Sequence, residues 1–177
     1  MNSWLSLANT LTALRLLSAP FVALAIVGEV WLFAFVLFFL AVASDVLDGR
    51  IARRLGQATA FGGLFDHATD ALFVTLTVAA VVSHGHAPWL LVGLIPAAFI
   101  QYTLDSQALM GQQLRTSMLG RINGVAYFVV PGVMVVVETL EFRWFDYHLL
   151  MLLGWLLIAT TLVSMSERAI AWANTRT

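Results

Sequence analysis

No cysteine and no lysine occur anywhere in this chain of 177 residues. The first absence excludes disulfides, thiolate nucleophiles and thiolate-ligated metals. The second leaves arginine to supply all nine basic side chains. Charge of either sign is scarce: 11% of residues are charged, against about 25% in soluble domains. A soluble globular class is thereby excluded, because 60% of the residues are hydrophobic and the mean hydropathy is +0.89. The opening MNSWLSLANTLTALRLL has neither a basic n-region nor a small-residue cleavage site, so a removed signal peptide is not expected. No repeat and no linker breaks the chain, and residues 1–177 read as a single all-α integral membrane domain.

Six segments are apolar and long enough to be expected as transmembrane helices, a span needing roughly 20 such residues. They run over about 7–27, 31–55, 59–83, 88–108, 120–138 and 148–169. With six spans, Arg15, Arg50, Arg53, Arg54, Arg115, Arg121, Arg168 and Arg176 fall on or near one side, and only Arg143 lies opposite. The positive-inside rule then places both termini, and a polar pocket among the spans, at the cytoplasmic face of the inner membrane. Trp31, Trp89, Trp144 and Tyr147 are expected interface anchors at the other face, beside His84, His86 and His148.

Against this apolar frame stands DVLDGRIARRLGQATAFGGLFDHATD, residues 45–70, with four aspartates. An aspartate at the middle of a membrane helix costs roughly 2.5–3.5 kcal/mol, so the four must converge on something cationic within the protein. At 100° per residue, Asp45, Asp48, Gly49, Ala52 and Arg53 share an arc of about 140°. Gly62, Asp66 and Asp70 recur every fourth residue and share a face of the next helix. Two adjacent acidic faces make an all-oxygen site suited to a hard cation, Mg²⁺ or Mn²⁺. Four carboxylates suffice for two such ions, the arrangement used for displacement at phosphorus, and Arg53 adds a bidentate phosphate donor.

The spacing Asp45-x2-Asp48-Gly49-x2-Ala52-Arg53-x8-Gly62-x3-Asp66-x3-Asp70 resembles, position for position, the signature of the CDP-alcohol phosphatidyltransferases. Asn9, Thr12, Arg15 and Pro20 are similar to the N-x2-T-x2-R…P pattern that opens many members. The resemblance implies transfer of a phosphatidyl group from a CDP-linked lipid to an alcohol, with release of CMP, by a homodimer with one site per subunit. It implies that Asp45, Asp48, Asp66 and Asp70 hold two divalent ions, with Asp70 also the catalytic base. Gly49, Ala52, Arg53 and Gly62 become nucleotide-binding residues, and Asn9, Thr12 and Thr59 further nucleotide contacts.

Acceptor choice is expected in GQQLRTSMLGRING, where Arg115 and Arg121 can bind an acceptor phosphate. Glycerol 3-phosphate is the first reading, with an inositol phosphate or another polar alcohol as alternatives. Family members that make phosphatidylglycerophosphate or cardiolipin often carry Gly-Lys near here; this chain has Gly120-Arg121. Arg15 is expected to be topogenic or headgroup-bound, and His67 to lie at the pocket rim. Gln101 and Asp105 stand evenly between acceptor contacts and helix-end polar residues. A divalent-cation transporter is the competing class, but the other half of the chain has no second acidic set, which favours the enzyme. Membrane lipid is a partner, and no nucleic-acid partner is expected.

Overall fold

The structure is a computed structural model and describes residues 7–54, 59–105 and 118–174. It contains six helices: α1 Leu7–Val27, α2 Trp31–Arg54, α3 Ala60–Ser83, α4 Leu90–Asp105, α5 Met118–Thr139 and α6 His148–Asn174. No strand occurs among the described residues. Four stretches are long and apolar enough to cross a bilayer: Thr10–Val27, Gly62–Ser83, Met118–Thr139 and His148–Trp172. The apolar stretches of α2, Trp31–Leu47, and of α4, Leu90–Asp105, are shorter. At 1.5 Å per residue α4 reaches only about 24 Å.

Each helix buries one stripe. On α1 the stripe is Thr12, Arg15, Ala19, Val22 and Ile26; on α2 it is Ala34, Phe38 and Ala41, and Asp45 falls next in the same register. The opposite face of α1 exposes Leu14, Leu17, Phe21 and Leu24, and α6 exposes Leu152, Trp155, Leu156, Leu162 and Val163. A surface this apolar is stable against lipid and not against water.

Helix α1 lies along both α2 and α3. Helices α2 and α3 each pack on α5, α3 packs on α4, and α4 and α5 both pack on α6. Among the described residues the backbones of α2 and α3 keep apart, and the two helices meet through side chains. Phe38 of α2, Phe73 of α3 and Phe128 of α5 form the middle of the core, with ring centroids 5.8 and 5.9 Å apart.

The end of the bundle away from the aspartates is tied by polar contacts. His84 Nε2 donates to the Ile26 carbonyl at 3.0 Å, Thr139 Oγ1 donates to the Trp31 carbonyl at 3.1 Å, and the Tyr147 hydroxyl donates to the Glu138 carboxylate. His86 stacks on Tyr147 at 3.9 Å between centroids. The expectation that His84 and His86 serve this end matches their contacts.

Gly154 on α6 passes the α3–α4 connection so closely that an added Cβ would lie 2.3 Å from Pro88 Cδ. Gly154→Ala is therefore overpacked, by about 1–3 kcal/mol. Its melting temperature in detergent is expected to fall by roughly 2–12 °C, at 2–4 °C per kcal/mol for a domain of this size. Gly93→Ala, where an added Cβ meets nothing within 4 Å, is expected to leave it unchanged or raised. Equal melting of the two variants would contradict this packing.

Candidate active site

The acidic site is assembled by three helices around one cation. Arg15 of α1 is only 1% exposed. Its Nη1 lies 2.8 Å from Asp45 Oδ1 on α2 and 3.1 Å from Asp66 Oδ1 on α3, and it also pairs with Asp70 Oδ1 one turn further along α3. The sequence-based expectation for Arg15 is overturned here. A topogenic or headgroup-bound arginine would sit at the surface, whereas this one is enclosed by carboxylates. Its burial follows from its place in the α1 stripe, between Thr12 and Ala19. A buried guanidinium without such partners would carry a desolvation cost of several kcal/mol. The convergence of the aspartates on an internal cation is thus met, in part, by a residue of the chain itself.

The carboxylates remain accessible from the other side. The side chains of Asp45, Asp66 and Asp70 are 33, 31 and 23% exposed. Asp66, His67 and Asp70 each offer a ligand atom, all within 4.8 Å of one another. Two carboxylates and an imidazole at that separation fit a divalent cation, and Asp45, drawn in by the same arginine, enlarges the oxygen set. His67 therefore stands within ligand reach. It also faces the Tyr102 ring at 5.6 Å between centroids. Asp48, Gly49, Ala52 and Arg53 lie on the last turns of α2, and Asn9 lies on α1; their side chains are outside the described residues, as is Arg115 altogether. Thr12 is buried one turn before Arg15. Thr59 caps α3, its hydroxyl accepting from the Gly62 N–H at 3.0 Å, so these two motif positions start the helix that carries Asp66 and Asp70.

A cavity of about 490 Å³ extends from these acids between α2, α3, α4, α5 and α6. Asp45, His67 and Asp70 line one end, Arg121 and Arg168 line another part, and Val42, Val74, Ile95 and Phe128 contribute apolar wall. Arg121 is exposed at the start of α5. Arg168 is the cavity residue that sequence reasoning missed as a site residue. Its guanidinium lies 4.4 Å from the Tyr102 ring centroid, and its Nε donates to Asp105 Oδ2 at 3.3 Å. Nothing in a lone arginine near the end of an apolar helix separates this role from a topogenic one. Asp105 is accordingly the carboxylate that holds Arg168. Gln101 ties α4 to α6 by donating to the Met165 carbonyl at 2.9 Å. On the α5–α6 wall, Asn123 Nδ2 donates to Thr161 Oγ1 at 3.4 Å, Thr160 donates to Asn123 Oδ1 at 2.9 Å, and the Tyr127 hydroxyl bonds to Thr161. The Tyr102 hydroxyl is buried with no partner among the described residues.

Fold and site together define a helical membrane protein with an acidic, cation-competent site that opens into a cavity also lined by arginines. The chain belongs to the CDP-alcohol phosphatidyltransferase family, whose profile matches residues 5–166. It is similar to the CDP-diacylglycerol–glycerol-3-phosphate 3-phosphatidyltransferase of Cereibacter sphaeroides, with 37% identity over 91 residues, 49% of this chain and 41% of that protein. The protein of the same name from Yersinia enterocolitica is 32% identical over 127 residues, covering 69% of this chain and 66% of the relative. That from Pseudomonas fluorescens is 36% identical over 99 residues, 54% and 49% of the two chains. The matched regions thus span from about two fifths to just under two thirds of the relatives' own lengths. No solved structure matches the chain significantly.

The donor set leads to a direct expectation. A cation that binds the folded state stabilises it by about 2.7 kcal/mol at a hundredfold excess over its dissociation constant, so MnCl₂ should raise the melting temperature by roughly 5–11 °C. EDTA should reverse the rise, and Asp45→Asn or Asp66→Asn should abolish it. A shift that survives both substitutions would place the cation elsewhere.

Proposed function

We propose that this protein transfers the phosphatidyl group of CDP-diacylglycerol to glycerol 3-phosphate and releases CMP. The observation that carries the proposal is one cavity lined both by carboxylates, Asp45 and Asp70, and by guanidinium groups, Arg121 and Arg168. Family membership supports the reaction class, and the names of the similar proteins support the acceptor. Asp45, Asp48, Asp66 and Asp70 would hold two divalent ions, Mg²⁺ or Mn²⁺. When bound, such ions supply charge neutralisation on the pyrophosphate and on the departing CMP.

The chain's own residues do the rest. Asp70 accepts the proton of the acceptor hydroxyl. The hydroxyl oxygen forms a bond to the phosphorus that carries the diacylglycerol, and the bond from that phosphorus to the bridging oxygen breaks. CMP leaves with that oxygen and the electron pair. Gly49, Ala52 and Gly62 leave room for the nucleotide, Arg53 binds its phosphate, and Asn9, Thr12 and Thr59 are further nucleotide contacts. Arg121 and Arg168, with Arg115, bind the acceptor phosphate, a task that suits planar guanidinium groups. Asp105 and the Tyr102 ring hold Arg168 in place for it. A substrate oxygen reaching the Tyr102 hydroxyl would offset the roughly 1–3 kcal/mol that an unpartnered buried polar group costs.

The wider reading is a single domain with all six helices crossing the inner membrane. Both termini and the pocket lie on the cytoplasmic side, and the protein is a homodimer. The arginine asymmetry supports that orientation.

CMP release from CDP-diacylglycerol, measured with Mn²⁺ and a panel of acceptors, tests the proposal. Glycerol 3-phosphate should support turnover; inositol phosphate, serine and choline should not. Asp70→Asn should lower kcat by two to four orders of magnitude, about what a general base contributes, while CDP-diacylglycerol still binds. Arg168→Gln should raise KM for glycerol 3-phosphate by more than tenfold, the loss of about 1.4 kcal/mol or more of binding. CMP release with choline but not with glycerol 3-phosphate would overturn the acceptor assignment. Mn²⁺ flux into proteoliposomes without any CMP release would support the transporter class instead.

A further inference from the structure

We infer that Arg15 is a positioning residue that sets the cation affinity of the acidic site, an inference that rests on the metal reading above. Three observations point to it. Arg15 is 1% exposed, so a substrate in the cavity does not reach it. Its Nη1 meets Asp45, Asp66 and Asp70 each at Oδ1, so one guanidinium nitrogen gathers three carboxylates. And the carboxylates come from two helices, α2 and α3, which meet the same guanidinium of a third. What brings them together is α1, which lies along both and places this guanidinium at the junction.

Without Arg15 the like charges of Asp45 and of the Asp66–Asp70 pair would repel each other at this end of α2 and α3. The ligand oxygens would then have to be gathered by the incoming cation at its own expense. With Arg15 in place the gathering is done on folding, when α1 docks through Thr12, Ala19, Val22 and Ile26. A guanidinium also repels an approaching dication. Preorganisation outweighs that repulsion here, because the ligands sit on separate helices and their side chains stay partly exposed on the side away from the guanidinium. Residues behind metal ligands act in this way in other sites, by orienting the ligating atoms.

The test uses the full chain in detergent with Mn²⁺ alone as probe, the free ion being counted by its paramagnetic resonance signal. Arg15→Gln, which keeps a donor and removes the charge, should weaken Mn²⁺ binding by about 10–100-fold. Arg15→Lys should weaken it several-fold, because the shorter lysine stem does not bring its ammonium to the place Nη1 holds among the three carboxylates. In CMP release, Arg15→Gln should need correspondingly more Mn²⁺ for half-maximal rate, with KM for CDP-diacylglycerol unchanged at saturating Mn²⁺. Mn²⁺ affinity in Arg15→Gln equal to or tighter than that of the unaltered chain would overturn the inference and make Arg15 a counter-ion that the metal displaces. If Arg15→Gln fails to fold, an unchanged affinity in Arg15→Lys overturns it equally. Absence of Mn²⁺ binding by the unaltered chain would instead overturn the metal reading itself.

Discussion

The Arg15 guanidinium carries a full positive charge at 1% exposure in the middle of an apolar bundle. Such a charge is tolerated only when it is paired and hydrogen-bonded, and Asp45, Asp66 and Asp70 meet that need from two other helices. The dependence is mutual, because the carboxylates would be as costly without the arginine. One interaction therefore decides how α1, α2 and α3 sit together at this end. The middle of the bundle is decided by apolar packing around Phe38 and Phe73, and the far end by polar contacts such as His84 with Ile26.

The cavity has a matching logic. Its acids and its arginines belong to different helix groups, Asp45 and Asp70 on α2 and α3, Arg121 and Arg168 on α5 and α6. The apolar lining, Val42, Val74, Ile95 and Phe128 among it, suits a ligand that brings both a charged head and a hydrocarbon tail. Arg168 is held by its own carboxylate, Asp105, and by stacking on Tyr102.

Much of this was legible in the sequence, because much of it is periodic. Apolar runs gave helix bounds that coincide at Leu7–Val27 and agree within a few residues elsewhere. Helical phase put Asp66 and Asp70 on one face, and fixed spacing pointed to the family that the profile match bears out. In a linear chain an arginine near the end of an apolar helix counts as a topological charge, and only the packing of α1 on α2 and α3 shows that Arg15 is enclosed by carboxylates, as that of α4 on α6 shows Asp105 beside Arg168. Asp45 and Asp66 meet at one nitrogen of Arg15, a contact with α1 that the linear pattern does not show. The Asp48, Arg53 and Arg115 side chains lie outside the described residues.

The central claim is that the Arg15-held carboxylates of α2 and α3 form a two-cation site. Anomalous X-ray scattering at the manganese edge, from crystals grown with MnCl₂ and CMP, tests it most directly. The account predicts two manganese peaks roughly 3.5–4 Å apart, bounded by Asp45, Asp66 and Asp70 with Arg15 still paired to at least one of them. Manganese found only among surface acids such as Glu141 and Asp146, with the three aspartates bound to Arg15 alone, would contradict it.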